Sequence, residues 1–114
     1  MQPEAAKFVQ DILDAADRIA GYVAGKTRDA FLANSELRDA VHWNFIIIGE
    51  ALSQLHKLDP AVAENIHEWR RIIGFRNQLI HGYGVIKNEI TWDIVETRLP
   101  SLRLDAHALL FPPS

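Results

Sequence analysis

The segment from Arg76 to Tyr83 brings together side chains whose types and spacing suit phosphate chemistry. Asn77 and His81 are four residues apart, so a helix places them on one face. A regular helix separates Arg76 from His81 by about 140°. Because arginine is long and Gly82 lets the chain unwind next to His81, we expect both heads to reach one cleft. Two copies of the chain facing each other would ease this geometry further.

A histidine and an arginine supply the two functions that metal-free RNA cleavage needs. RNA carries its own nucleophile, the 2′-hydroxyl beside the scissile phosphate. A histidine titrates near neutrality and can accept the hydroxyl proton, which typically contributes on the order of 100- to 10,000-fold in rate. An arginine remains charged and binds phosphate oxygens with a rigid fork. We therefore assign His81 as the base and Arg76 as the phosphate clamp. Asn77 would orient the substrate or the imidazole, and Tyr83 would stack on a base or contact a phosphate.

The same residues also fit a purely structural role. Arginine, histidine and asparagine near a helix C-terminus cap carbonyls and complement the helix dipole, worth about 0.3 to 1 kcal/mol. Tyr83 would then be a half-buried edge of the core. Spacing alone favours this structural interpretation over the catalytic one.

Charge is segregated along the chain in a way that favours a phosphate ligand. The net charge is −3, but residues 69–87 contain no Asp or Glu and carry +4, which leaves −7 for the remainder. This basic segment includes Arg70 and Arg71. The pair either binds the RNA backbone beside the cleft or forms a solvated face, and the sequence leaves both open.

Glu50 is a carboxylate within an apolar run, and buried acids usually need a cation or a function. We hypothesise that Glu50 pairs with Arg76 or another basic group near the cleft; the alternative is an exposed place on the outer face of its helix. The histidines outside the segment show no metal-ligand spacing, so we expect neither a metal site nor a cofactor. These are His42, His56, His67 and His107.

The chain has no cysteine, no signal-like N-terminus and no stretch of about 18 apolar residues, so we expect a cytoplasmic protein without a membrane segment.

A length of 114 residues predicts one domain, residues 1–114. Apolar spacing predicts an all-α bundle of four or five helices. The expected elements are helix one at 3–24, a short turn after Thr27, helix two at 35–57, a turn near 61–65, helix three from Trp69 to the Gly82 and Gly84 pair, and helix four from Asn88 to Leu109 with a kink at Pro100.

Apolar residues occupy more than one side of the second helix between Trp43 and Leu55. This pattern is typical of a helix buried between neighbours or across a subunit interface. Trp43, Trp69 and Trp92 all lie on apolar stripes, which favours packing over base stacking for each.

The string Arg76-Asn77-x-x-x-His81-x-Tyr83 resembles the signature of HEPN-domain proteins, and specifically of the HepT toxins. The resemblance extends over nearly the whole chain. Further similar segments are Leu37 to Val41 leading to Ile47 to Ala51, Trp69 before the arginine, Trp92 after the motif, and Leu99-Pro100-Ser101-Leu102.

The resemblance implies a HEPN fold and a homodimer in which Arg76 and His81 of both subunits line one cleft that cleaves RNA without a metal. It also implies a partner, an MntA-type minimal nucleotidyltransferase antitoxin that transfers AMP from ATP to Tyr83. A bulky anionic group two residues from His81 would fill the cleft and repel RNA phosphate. The alternative is a non-enzymatic helical HEPN module that docks a nucleotidyltransferase and binds nucleotide.

Overall fold

The structure is a computed structural model, and it describes residues 1–82 and 86–113. Within this part of the chain all regular secondary structure is helical, which confirms the predicted all-α class. Five helices have ten or more residues and two are short. Their bounds are α1 Pro3–Val23, α2 Arg28–Ala33, α3 Ser35–Leu58, α4 Pro60–Ala63, α5 Trp69–His81, α6 Asn88–Thr97 and α7 Leu99–Leu110.

Side-chain caps set the start of α2, α3 and α4. The Thr27 hydroxyl accepts a hydrogen bond from the backbone N–H of Ala30 at 3.1 Å, and α2 begins there. The Asn34 side chain accepts from Leu37 N–H at 3.0 Å at the start of α3. Asp59 caps α4 in the same way. α2 and α3 begin where the sequence predicts, because a cap satisfies backbone donors that have no partner inside the helix. The short helix α4 lies where the sequence predicts a break and then a turn near 61–65.

The C-terminal part corrects one prediction. The single helix expected from Asn88 to Leu109, kinked at Pro100, is two helices that meet at Arg98. Pro100 lies in the first turn of α7. A proline is tolerated there because its missing N–H would have no intrahelical partner. Pro100 therefore helps to start α7 rather than bending a continuous helix.

The long helix α3 is the centre of the bundle and packs against both α1 and α5. Phe45 of α3 meets Phe75 of α5 edge-to-face, with ring centroids 5.4 Å apart. Phe31 of α2 packs against the buried Trp92 of α6 at 5.2 Å. Such aromatic pairs add about 0.5–1.5 kcal/mol beyond the area they bury. Trp92 thus has the packing role that its apolar stripe predicts.

The bundle measures 42 × 30 × 18 Å. Its thinnest dimension is less than two helix diameters of about 10–12 Å, so each helix keeps an outward side. This explains why Trp43 on the central helix α3 is 62% exposed. On that side, α3 is not buried between neighbouring helices of the same chain. None of the helices in the described ranges combines the length and apolarity needed to cross a bilayer.

Candidate active site

Helix α5 carries Arg76, Asn77 and His81. It ends at Gly82, which has a left-handed backbone with φ of 60° and donates its N–H to the carbonyl of Gln78 at 3.1 Å. The predicted helix end at Gly82 is therefore confirmed. The expected unwinding at His81 is wrong, because α5 stays helical through that residue and keeps it about 140° around the axis from Arg76. Tyr83 and Gly84 lie outside the described residues.

Two neighbours hold the guanidinium of Arg76. One Nη donates to the carboxylate of Glu50 on α3, and the other donates to Oδ1 of Asn77 at 2.8 Å. Glu50 also accepts from the Gln54 side chain at 3.1 Å. The side chain of Arg76 is 22% exposed and that of Glu50 is 47% exposed. The contact expected between Glu50 and Arg76 is present, and it lies at the edge of the bundle, accessible to solvent.

Gly49 determines how closely α3 approaches α5. A Cβ built on Gly49 would overlap the Cβ and Cγ of Arg76. These atoms lie at the base of the arginine side chain, so rotation of its far end could not relieve the overlap. The sequence motif by itself assigns Gly49 no role. The signal was nevertheless present, because glycine inside a long helix costs about 1 kcal/mol relative to alanine and needs a compensating reason.

Four exposed residues of α5 lie within about 60° around its axis and form what we call the outer stripe: Arg70, Gly74, Asn77 and His81. The Arg70 guanidinium also lies 4.9 Å from the ring centroid of Trp69. Arg71 is directed about 100° away from Arg70. Its Nε is 3.2 Å from the carboxylate of Glu68. The structure therefore groups Arg70 with Asn77 and His81, and separates Arg71 from them.

Three of the other histidines, His42, His56 and His107, contact neighbouring side chains. His42 Nε2 and the hydroxyl of buried Thr91 are 2.8 Å apart. The His56 ring stacks on Trp69 at 4.3 Å, and the His107 ring lies 4.8 Å from that of Phe111. Within residues 1–82 and 86–113, no group of three or more His, Cys, Asp or Glu side chains is arranged to hold a metal ion.

An apolar surface adjoins the Glu50 side of the site. Trp43, Ile46 and Ile47 of α3, together with Phe8 of α1, line a shallow depression of about 300 Å³ that also includes Glu50. We call this surface the α1–α3 face. It contains the exposed indole of Trp43. Glu50 contacts Arg76, so the α1–α3 face is continuous with the surroundings of the guanidinium.

Comparison with known proteins relates this arrangement to a family. The chain matches the family described as Ribonuclease HepT-like over residues 12–109. A protein of Methanocaldococcus jannaschii named "Putative RNase" is 33% identical over 97 residues, covering 82% of this chain and 77% of that protein. A second protein with that name from the same organism is 30% identical over 96 residues, covering 84% of this chain and 87% of the relative.

A third similar protein of this organism, named "Gamma-glutamylcyclotransferase and putative RNase", is 29% identical over 103 residues. That match covers 90% of this chain but only 46% of the relative, so this chain spans about half the length of that longer protein. No solved structure matches the chain significantly. Together with the helical fold, the family match over most of the sequence confirms the resemblance that the Arg76 to Tyr83 string suggests. The chain belongs to the HepT-like ribonuclease family of HEPN-type helical proteins.

Proposed function

We propose that this chain is a metal-independent RNA endonuclease and the toxin of a toxin–antitoxin pair, with Arg76 and His81 as its catalytic residues. Membership of the HepT-like family and the names of its relatives support RNA as the substrate. The observation that carries the proposal is the fixed guanidinium of Arg76, held between Glu50 and Asn77 on the helix that also carries the exposed His81. A fixed cation stabilises developing charge without the cost of reorganising during the reaction.

The proposed reaction uses the 2′-hydroxyl of RNA as the nucleophile. His81 accepts the hydroxyl proton while the 2′-oxygen bonds to phosphorus and the bond from phosphorus to the 5′-oxygen breaks. The products are a 2′,3′-cyclic phosphate and a 5′-hydroxyl, whose oxygen takes a proton from water. Arg76 binds the phosphate oxygens as their negative charge increases. Asn77 positions Arg76 through its side-chain oxygen, and Glu50 does so through its carboxylate.

The pairing of Arg76 with Glu50 also supports a second candidate function. A carboxylate beside the guanidinium offsets part of its attraction for phosphate. A non-enzymatic HEPN module that docks a nucleotidyltransferase and binds nucleotide would tolerate this weakening. We favour catalysis because arginine has five N–H donors, so contacts with Glu50 and Asn77 leave other donors for a phosphate.

We propose that residues 1–114 form one domain that acts as a cytoplasmic homodimer. The angle of about 140° between Arg76 and His81 makes a site built from two copies more favourable than one within a single copy. The α1–α3 face suits this pairing because it is apolar and contains Glu50. Two copies joined there would bring the surroundings of both Arg76 side chains together.

The proposed antitoxin is an MntA-type minimal nucleotidyltransferase, and its target is Tyr83. The tyrosine oxygen would bond to the α-phosphorus of ATP, and pyrophosphate would leave. The added AMP would place negative charge two residues from His81, where it would repel the phosphate of RNA. Tyr83 lies outside the described residues, so this part rests on its position in the sequence motif.

The test is RNA cleavage in excess chelator by the wild type, Arg76→Ala and His81→Ala, each purified with and without the co-expressed nucleotidyltransferase. We expect each substitution to reduce cleavage by roughly 100-fold or more. Circular dichroism of all three proteins controls for folding. Intact mass should show one AMP on the co-expressed wild type and none on Tyr83→Phe.

Equal cleavage by all three unmodified proteins would show that Arg76 and His81 do not perform the chemistry. If none cleaves RNA while the wild type binds nucleotide, the non-enzymatic module becomes the better explanation. A co-expressed wild type without an added AMP would refute the regulatory part alone.

A further inference from the structure

Gly74 occupies an unexpected place on the candidate catalytic helix. It lies within α5, three residues before Asn77, and is exposed. A Cβ built on Gly74 meets no heavy atom of the described residues within 4 Å, apart from the neighbouring helix backbone. Packing within the described part of the chain therefore does not require glycine at this position, in contrast to Gly49.

Glycine at an exposed position inside a helix lowers the stability of that helix. Replacing it with alanine usually stabilises a helix by about 1 kcal/mol, because glycine loses more backbone freedom on folding. Gly74 therefore weakens α5 without a packing benefit among the described residues. A close approach by the backbone of a ligand would explain why glycine is present at this position, since only glycine leaves the helix surface without a side chain.

The surroundings of Gly74 favour an anionic ligand. The outer stripe has Arg70 at one end and His81 at the other, with Asn77 next to His81. Helix α5 itself contains no Asp or Glu. Arg70 and His81 are 11 residues apart, or about 16 Å along the helix axis. A nucleic acid strand that touches both must therefore be several nucleotides long.

A second copy of the chain fits the outer stripe less well than RNA does. Two such stripes facing each other would offer Arg70 no carboxylate partner, because α5 contains no Asp or Glu, whereas RNA offers phosphates. The exposed Trp43 and the half-buried Ile46 and Ile47 lie instead on α3, where a second copy would bury them. Charge complementarity therefore favours nucleic acid on α5.

We propose that the outer stripe of α5 is the track along which an RNA strand lies, with its backbone closest to the helix at Gly74. Arg70 binds a phosphate several nucleotides from the cleaved bond, and its guanidinium is steadied by the ring of Trp69. Trp69 is in turn stacked on His56. The inference rests on the proposed ribonuclease function and adds the path of the substrate and the residues that set it.

The experiment measures RNA binding separately from cleavage. A fluorescein-labelled single-stranded oligonucleotide with 2′-O-methyl groups is the binding probe, because it lacks the nucleophile. Its affinity is measured by anisotropy for the wild type, Gly74→Ala and Gly74→Gln. The matched control is Gly21→Ala, since Gly21 is also an exposed helical glycine with open space around it, but lies on α1.

We expect Gly74→Ala to weaken binding about tenfold, equivalent to about 1.4 kcal/mol, and Gly74→Gln to weaken it further. Gly21→Ala should bind like the wild type. Thermal unfolding should show both alanine variants at least as stable as the wild type. Arg70→Gln should weaken binding and lower the salt slope by about one, whereas Arg71→Gln should leave the slope nearly unchanged.

The outcomes separate this inference from the proposed function. If the wild type cleaves RNA and Gly74→Ala binds and cleaves equally well, the track is refuted and the ribonuclease proposal stands. If the wild type binds the probe, with the expected sensitivity at Gly74, but cleaves no RNA, the catalytic proposal fails and the track stands. If the wild type does not bind the probe, the track is refuted. A shift from dimer to monomer in Gly74→Ala would identify a second copy as the occupant and overturn the inference.

Discussion

Arg76 illustrates how a single side chain depends on residues that are distant in sequence. Glu50, 26 positions earlier, accepts one Nη hydrogen bond, and the adjacent Asn77 accepts another. A hydrogen bond to a charged group contributes about 1.5–3 kcal/mol where it is shielded from water, and less at the partly exposed position of Glu50. The pair therefore serves orientation more than stability. It fixes the guanidinium while leaving part of it accessible to a ligand.

His42 leads to a prediction about pH. Burial lowers the pKa of His42 below its ordinary value of 6.5; Asp39 opposes this shift and Arg38 reinforces it. The unfolded chain therefore binds a proton at His42 at higher pH than the folded chain does. The free energy of unfolding should fall as pH drops below about 6.5 and continue falling until the folded-state pKa is passed. Urea unfolding at a series of pH values measures this.

The control for this prediction is His42→Gln, which can still hydrogen-bond to Thr91 but does not titrate. Its unfolding free energy should fall less than that of the wild type as pH drops below about 6.5, because glutamine binds no proton. The same pH dependence in both proteins would contradict the assignment to His42.

At the scale of elements, the crossing of α3 and α5 is the structural basis of the site. Gly49 removes a side chain where the two helices approach, and the next residue, Glu50, contacts Arg76 across the crossing. Phe45 and Phe75 pack edge-to-face at the same helix pair. Two glycines in these helices thus have opposite explanations: Gly49 has no room for a Cβ, whereas Gly74 faces open space within the described part of the chain.

Gly49→Ala should separate α3 from α5 and weaken the protein. Adding a methyl group to a tightly packed contact usually costs about 1–3 kcal/mol, partly offset here by the higher helix propensity of alanine. Urea denaturation measures the loss, and RNA cleavage should fall with it because the contact between Glu50 and Arg76 is disturbed. Gly21→Ala, at an open position, should cost nothing. Equal stability of Gly49→Ala and the wild type would mean that the helices accommodate the methyl group without strain.

At the scale of the whole molecule, a flat bundle 18 Å thick leaves one side of its central helix partly exposed at Trp43. The α1–α3 face therefore exposes Trp43 beside Ile46 and Ile47. Large exposed apolar clusters usually mark interaction sites. A second copy placed here would bury this surface and bring Glu50 of each copy close to the interface.

Trp43→Ser should weaken the proposed homodimer. Loss of a tryptophan at the centre of an interface typically costs about 2 kcal/mol or more, which raises the dissociation constant by over tenfold. Analytical ultracentrifugation over a concentration series measures this change. The control is Leu104→Ser on α7, since Leu104 is 71% exposed but lies away from the α1–α3 face. A wild type that is monomeric at all concentrations, or unchanged association of Trp43→Ser, would contradict the proposed interface.

Features that depend on a few neighbouring residues followed directly from the sequence. The caps at Thr27 and Asn34 and the helix stop at Gly82 act over three or four positions, so spacing predicts them. The all-α class follows from apolar periodicity. The motif from Arg76 to Tyr83 and the family resemblance could also be recognised from the sequence, because both depend only on the order of the residues.

Features that depend on packing were decided only by the tertiary structure. Glu50 contacts Arg76 because α3 crosses α5 at Gly49, and neither the crossing point nor its distance is encoded in local spacing. The structure also divided the basic segment, placing Arg70 with His81 on the outer stripe and Arg71 against Glu68. The physical reason is the same in each case. Helix formation responds to nearby residues, whereas the environment of a charge depends on which helices pack beside it.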